Sequence, residues 1–441
     1  MSGTEARRAV AVSLALTLTA LGLSAHDQVP GEAPEGPVLL TGGDVYTVSG
    51  EILEATDLLF AGGEIVEIGV GLTVPEGTEV IDVSGSRVYP GLIAPQTVLG
   101  LVEIGAVRAT RDLDEVGDIN PEVAAHVAYN PDSEHTPTVR SHGVTTAQIT
   151  PQGGGIAGRN FLTHLDGWTK EDAGIRLTDG IVVNWPSVTV STSRFAPPAE
   201  QQRERSQRQR DEIRQAFERA RDYHAAREAG LIDEIDLRWE AMRPLWSGGE
   251  KVFVNAGDYR QIVEAVSFAQ EFGVELVLVG AADAYKAAEL LRDAGVAVIL
   301  DASTGLPPRQ DDDYDTQYKH ARLLHEAGVK FCIGLINQGW GARNLAIEGA
   351  GHAIAHGLPA DVALRSITLS TAEILGLDET QGSLEVGKEA TLFVSTGDVM
   401  DTLTQNVTHM YIRGRPVDLD NRHRRLARKY AEKIHRAAGS Q

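Results

Sequence analysis

The residues of this chain that could do chemistry are thirteen histidines, one cysteine and a surplus of carboxylates. His352 and His356 stand four apart, a spacing that puts two imidazoles on one helix face and can make a metal pair. No Glu accompanies them as a general base, so the spacing reads as structural or surface. His126, His135, His142 and His164 are scattered through the first half of the chain, and His320 and His325 flank a helical segment and read as surface residues. Asp311, Asp312, Asp313 and Asp315 form an acidic loop that lacks the ligand spacing of a calcium hand, so a solvated turn is expected. Cys332 lies in the apolar run Val329-Lys330-Phe331-Cys332-Ile333 and reads as a small buried hydrophobe rather than a nucleophile. The Gly-rich stretch from Pro151 to Gly158 reads as a loop. It is followed by no Lys-Ser or Lys-Thr and lacks the dinucleotide spacing, so phosphate binding is not expected.

The elements that must position such residues fall into three blocks. From Val38 to Pro90 short β-rich runs are joined through Gly42-Gly43 and Gly62-Gly63, the signal of hairpins. The far end, around Ala390–Val394 and His409–Val417, has the same texture. Between them lies α/β sequence. It is clearest from Lys251 to Leu375, where strands such as Val252–Val254, Glu275–Val279, Val296–Leu300 and Val329–Leu335 alternate with helices near Tyr259–Phe272, Asp283–Ala294, Tyr314–Ala327, Asn344–His356 and Ala360–Leu375. That alternation implies parallel β/α units. Glu200 to Glu240 is dense in Arg, Glu and Gln and reads as one or two exposed helices laced by i,i+4 charges.

The 441 residues suit a barrel of about 250 residues plus a smaller partner. A formal charge of −22 makes nucleic acid and anionic membrane poor partners. At the N-terminus, Arg7 and Arg8 precede an uncharged apolar stretch from Ala9 to Leu23, then Leu23-Ser24-Ala25 and a polar linker. This is the pattern of a secretory signal peptide over 1–25, too short to favour a spanning helix, and it predicts a secreted or periplasmic protein.

The segment Val88-Tyr89-Pro90-Gly91-Leu92-Ile93-Ala94-Pro95-Gln96-Thr97-Val98 resembles the start of the barrel in the amidohydrolase superfamily, in particular its imidazolonepropionase-like branch. Gly357-Leu358-Pro359, Ile367-Thr368-Leu369, Ala372-Glu373-Ile374-Leu375-Gly376 and Gly382-Ser383-Leu384-Glu385-Val386-Gly387 resemble the family's closing helix and its return to the β-domain. The resemblance runs from about Val38 to Ala431. It implies a distorted (β/α)8 TIM-like barrel inserted in a composite β-sandwich built from both chain ends. The expected blocks are a linker over 26–37, sandwich over 38–90 and 386–420, barrel over 91–385 with a charged helical insertion at 199–242, and a C-terminal helix over 421–441.

The family uses zinc or another divalent metal, held in part by a His-x-His pair on the first barrel strand. Here Gln96 and Val98 stand at those positions. Asn255 stands where the resemblance places a later His, Leu278-Val279-Gly280 holds none, and Asn337 or Gln338 replaces the closing Asp, depending on a one-residue choice of alignment. A valine cannot ligate and an amide cannot accept a proton at neutral pH, so no metal cofactor is expected. The loops after the first strand make Glu103, Arg108 and Asn120 candidate pocket residues, with a Glu103–Arg108 ion pair as the alternative. The resemblance implies hydrolysis of carbon–nitrogen bonds other than peptide bonds, of the cyclic-amide type, a small-molecule amide ligand and a homo-oligomer. The substituted positions imply instead a non-catalytic binding or assembly module, or a rebuilt site.

Overall fold

The computed structural model describes residues 29–302, 304–307, 309 and 311–438. The expected signal peptide lies outside the described residues. The N-terminal strands are Val38–Tyr46 (β1), Ile52–Ala61 (β2), Glu64–Gly69 (β3), Glu79–Asp82 (β4) and Arg87–Pro90 (β5). β1, β2 and β3 are antiparallel neighbours, and the β2–β3 hairpin turns at Gly62 and Gly63, both at positive φ. The first half of β1 pairs in parallel with β4 and its second half with β5, so the sheet splits along β1.

The barrel follows with Leu92–Thr97 (β6), Val144–Ile149 (β7), Ile156–Arg159 (β8), Phe161–His164 (β9), Gly174–Arg176 (β10), Ile181–Asn184 (β11), Val252–Ala256 (β12), Leu276–Gly280 (β13), Ala297–Asp301 (β14) and Phe331–Gly334 (β15). β11 to β15 form a parallel ladder, and β6 is parallel to β7. The third stave departs from the all-parallel expectation. β8 and β9 are one bent stretch that runs antiparallel to both neighbours, β9 to β7 and β8 to β11. The bend is at Asn160, whose N–H donates to the Gly180 carbonyl and whose carbonyl accepts from the Asp179 N–H. The last three residues of the expected loop from Pro151 to Gly158 are therefore strand: Ile156 and Ala157 are buried, and Gly158 takes a φ of +132°.

Side-chain alternation sorts the barrel strands into two faces. Ile93, Leu162, Phe253, Val277, Val279, Ile299 and Cys332 fill the interior, and Ile374, Leu375 and Leu377 plug it. Val252, Val254, Leu276, Leu278, Val298 and Leu300 face outward onto helices such as Tyr259–Phe272. Asp258 caps that helix with a capping box, and Gly273 ends it in the left-handed conformation. The helix expected across 344–356 is a π-helical stretch, Leu345–Gly351, leading into a short α-helix, His352–Ala355. The Arg-rich region forms a 30-residue helix, Ala199–Glu228. It is not solvated all round: Ile213, Ala216, Phe217, Ala220 and Tyr223 are buried, with the Phe217 ring 4.8 Å from Phe268.

The chain then returns to the first sheet through Leu392–Ser395 (β16), Val407–Ile412 (β17) and Arg415–Pro416 (β18). β16 pairs antiparallel with β5, Phe393 opposite Tyr89, so both chain ends complete one eight-stranded sheet. One face holds its own core of Leu40, Val45, Phe60, Ile65, Val88, Leu392 and Val394. Tyr89 and Phe393 stack at 5.3 Å and belong instead to the barrel core. At the junction a Cβ on Gly91 would lie 2.0 Å from Thr145 Oγ1, so only glycine lets β6 leave the sheet here. A helix, Arg422–Ala438, ends the described chain. Among the described residues no helix is long and apolar enough to cross a membrane.

Candidate functional site

In barrels of this kind ligands bind at the C-terminal ends of the strands. At that end of β6, Pro95 has no N–H to give to a ladder, and β6 bulges between Ala94 and Thr97. Closure to β15 is made just beyond the strands instead. The Asn337 N–H donates to the Gln96 carbonyl at 2.8 Å, the Val98 N–H donates to the Gln338 carbonyl at 3.3 Å, and the Thr97 hydroxyl donates to the same carbonyl. Gln96 and Asn337 both sit in the left-handed region, at φ +52° and +58°. Such a conformation costs a residue with a Cβ about 1–3 kcal/mol and is kept only where the surroundings enforce it.

The Gln96 side chain is fully buried, and its fate is set by a carboxylate. Asp179 is buried, and burial pushes its pKa up, opposed by Arg176 at 3.1 Å and by a hydrogen bond from Gln148. As a carboxylate it only accepts, so Gln148 turns its Nε2 toward it, at 2.6 Å. The Gln148 Oε1 then accepts from the Gln96 Nε2 at 2.8 Å. Arg176 also donates to the Leu375 carbonyl in the plug. A single polar chain thus runs from the β6 terminus to the plug, with both amide orientations fixed.

A second set of amides lies at the ends of β11 and β12. Asn255 donates its Nδ2 to Asn184 Oδ1 at 2.8 Å, and Asn184 donates to the carbonyls of Gly153 at 3.1 Å and Gly154 at 2.9 Å. The Gly-rich loop is held by these bonds. Gly154 has φ +57°, and a Cβ there would lie 2.8 Å from the Asp118 carbonyl oxygen.

Charge gathers beyond β12, β13 and β14. Asp283, with a side chain only 4% exposed, receives both terminal nitrogens of Arg309, Lys286 Nζ at 2.9 Å and the Tyr259 N–H at 3.0 Å. Arg309 also reaches Asp258 and Asp312, each at 3.5 Å. Burial alone would raise the Asp283 pKa, but its partners prevail and bring it down to about 2. This network ties three barrel-mouth loops together. Asp312 belongs to it and Asp315 pairs with Lys319, so the acidic loop is only partly the solvated turn expected.

The family model for the amidohydrolase family matches residues 192–417, more than half of the chain. The chain belongs to the amidohydrolase family. It is 24% identical over 364 residues to the amidohydrolase tasK of Hapsidospora irregularis, an alignment covering 74% of this chain and 36% of that protein. It therefore spans about a third of that relative's length. A 56-residue stretch, 13% of each chain, is 48% identical to a dihydroorotase of Citrifermentans bemidjiense. Among solved structures, an amidohydrolase from Thermotoga maritima MSB8 superposes with a TM-score of 0.76 at 21% identity, covering 86% of this chain and 99% of that one. That similarity shows the fold.

A metal of the kind amidohydrolases use needs imidazole or carboxylate donors with one position open for water. The donors at the substituted positions of this amidohydrolase do not fit it. Gln96 spends its amide on Gln148, Val98 is buried without a donor, and Asn255 turns its amide nitrogen to Asn184. Asn337 and Gln338 close the β6–β15 seam with their backbones, and the preceding Ile336 packs against the interior cluster. Among the described residues, no group of three or more His, Cys, Asp or Glu is arranged to hold a metal ion.

The other candidates disperse. Asn120 lines a groove over the 101–128 segment, where its Nδ2 donates to the Gly117 carbonyl at 3.1 Å. Glu103 accepts from Asn130 Nδ2 at 3.2 Å, and Arg108 is exposed on a short 3-10 turn. His356 Nδ1 bonds the His352 carbonyl at 2.8 Å, and its ring stacks on Tyr318. His320 is not a surface residue as expected: it faces inward with Ala321 and Leu324, its ring 5.0 Å from Tyr285. Gln148, Asp179, Asn184, Asp283 and Arg309 were not singled out from the sequence. For Gln148 a signal existed, since the polar Thr146 and Gln148 repeat at period two within a strand that is buried throughout.

Proposed function

We propose that this amidohydrolase-family chain is an exported protein that keeps the barrel as a binding or assembly module and does not carry out metal–water hydrolysis. One observation carries the reading: the side chain at the first expected ligand position, Gln96, is bonded into the Gln148–Asp179–Arg176 chain. An amide there neither replaces an imidazole as ligand nor takes a proton. Family membership supports a second reading, hydrolysis of a cyclic amide, as does the short likeness to dihydroorotases.

Metal analysis of protein grown with added zinc and then dialysed separates the two. Substoichiometric metal, with no turnover of cyclic amides such as dihydroorotate, is the expected result. One or two equivalents of retained zinc would overturn the proposal. A thermal-shift screen with small amides then distinguishes a binding pocket from a bare scaffold. Export is tested by sequencing the mature N-terminus, which should begin at His26.

A further inference from the structure

The overall charge of −22 conceals a segregation. The helix Arg422–Ala438 carries seven Lys and Arg residues against one Glu, a net +6, which leaves −28 on the rest of the chain. The helix buries no residue. Leu426, Tyr430 and Ile434 follow one another at i,i+4 along one face and are 39%, 52% and 68% exposed. Arg428, Lys429, Lys433 and Arg436 occupy the remaining circumference. Its first turn is fixed to the body: Asn421 Oδ1 accepts from the Arg424 N–H at 3.0 Å and Asn421 Nδ2 donates to Ser141 Oγ at 2.9 Å. The helix is thus presented as a preformed rod, and a partner need not spend binding energy on ordering it.

Elsewhere, a groove of about 460 Å³ runs beside the loops that follow β6. Asp112, Asp114, Glu115 and Glu122 line it, and it has no Lys or Arg. Glu122 Oε2 is buried there without a hydrogen-bond partner. Its apolar part includes Val116, 97% exposed, and Val127, 68% exposed. Carboxylates around exposed valines are the chemical inverse of arginines and lysines around Leu426, Tyr430 and Ile434.

We infer that the C-terminal helix of one copy docks in this acidic groove of a second copy, with the exchange made reciprocally in a two-fold dimer. A lipid surface suits the helix less well. Three large apolar side chains insert little into a bilayer, and a body carrying −28 is repelled by anionic headgroups within the screening length of roughly 8 Å. The inference does not depend on whether the barrel hydrolyses anything.

Light scattering on the full chain after size exclusion tests it. The expected result is a dimer at low salt that halves in mass at high salt, because the contact is between exposed charges. K429E/K433E/R436E and D112K/D114K/E115K should each be monomeric, and mixing the two should restore a species of dimer mass, because the native helix then meets the native groove and the reversed helix meets the reversed groove, opposite in charge in both pairs. The variants alter only exposed or groove-lining side chains, and circular dichroism confirms that they fold. A wild-type monomer at all salts, a dimer indifferent to both variants, or a mixture that stays monomeric would each overturn the inference. So would flotation of monomeric wild-type protein with phosphatidylglycerol vesicles that is lost in K429E/K433E/R436E and kept in D112K/D114K/E115K, which would assign the helix to lipid.

Discussion

Replacing Asp283 by Asn keeps the shape of the side chain and removes the charge at the centre of the barrel-mouth network. The folded carboxyl has its pKa brought down to about 2 from an ordinary 3.8. At 1.36 kcal/mol per unit that is a ceiling of about 2.4 kcal/mol. Arg309 and Lys286 are 34% and 37% exposed, so water screens the pairs and roughly 1–2 kcal/mol of charge interaction survives. The new amide also turns one NH2 toward donors that previously met oxygen, adding about 1–2 kcal/mol. We expect Asp283→Asn to lose about 2–4 kcal/mol at pH 7, read as a lower urea midpoint and as faster hydrogen exchange in the loop around Arg309. The pH dependence has a definite sign. A folded pKa below the unfolded one gives stability that is complete above about pH 4 and lost as pH falls toward 2. Wild type and variant should therefore converge on acidification. A difference at pH 7 within about 0.5 kcal/mol, the scatter of ordinary surface changes, would refute the argument, as would a gap that does not narrow in acid.

Three further outcomes are expected. Gln148→Leu removes the donor to buried Asp179 and the acceptor for Gln96; the Arg176 contact remains, so we expect a loss of about 2–3 kcal/mol in urea denaturation, and no loss would show the polar chain to be incidental. His320 and His164 are held neutral by burial, with pKa values brought down to about 4 and about 3. Their contribution is complete above the unfolded value near 6.5 and falls as pH drops through 6.5 toward 4 and 3, so His320→Phe should flatten the decline of the urea midpoint between pH 6.5 and 4. Burial pushes the Cys332 thiol up to about 12, so iodoacetamide at pH 8 should leave the folded protein unmodified and label it in urea; rapid labelling of the native chain would contradict the packed interior.

The composite fold was legible because its signals are local. Gly62-Gly63 turns a hairpin, and Val252–Ala256 and Leu276–Gly280 are apolar runs of strand length separated by a helix that opens on Asp258 and closes on Gly273. The direction of Ile156–His164 was not legible, because antiparallel pairing there depends on Asn160 meeting Asp179 and Gly180 at the start of the neighbouring strand. For the same reason the substituted positions could be named without their consequence. That the Gln96 amide is hydrogen-bonded into the interior follows from Asp179, 83 residues away and in a segment with no motif. The burial of His320 depends on Tyr285, which is distant in sequence. Helical charge runs misled in one respect, since an apolar stripe of Ile213, Phe217 and Ala220 is diluted by the Arg and Glu around it.

The pairing of β5 with β16 has a consequence for how the molecule comes into being. Val88 meets Val394 in the finished sheet, a separation of about 300 residues. At roughly 5–20 residues per second of synthesis, the edge of β5 waits about 15–60 s for its neighbour to be made. Through that interval Tyr89 and the apolar face of the N-terminal hairpins have no lasting cover, and an uncapped strand edge invites pairing with another chain. The last fifty residues, from Leu392 on, therefore act as a latch. We expect a chain ending before Leu392 to be released with an open edge and to aggregate, even though every barrel strand is present.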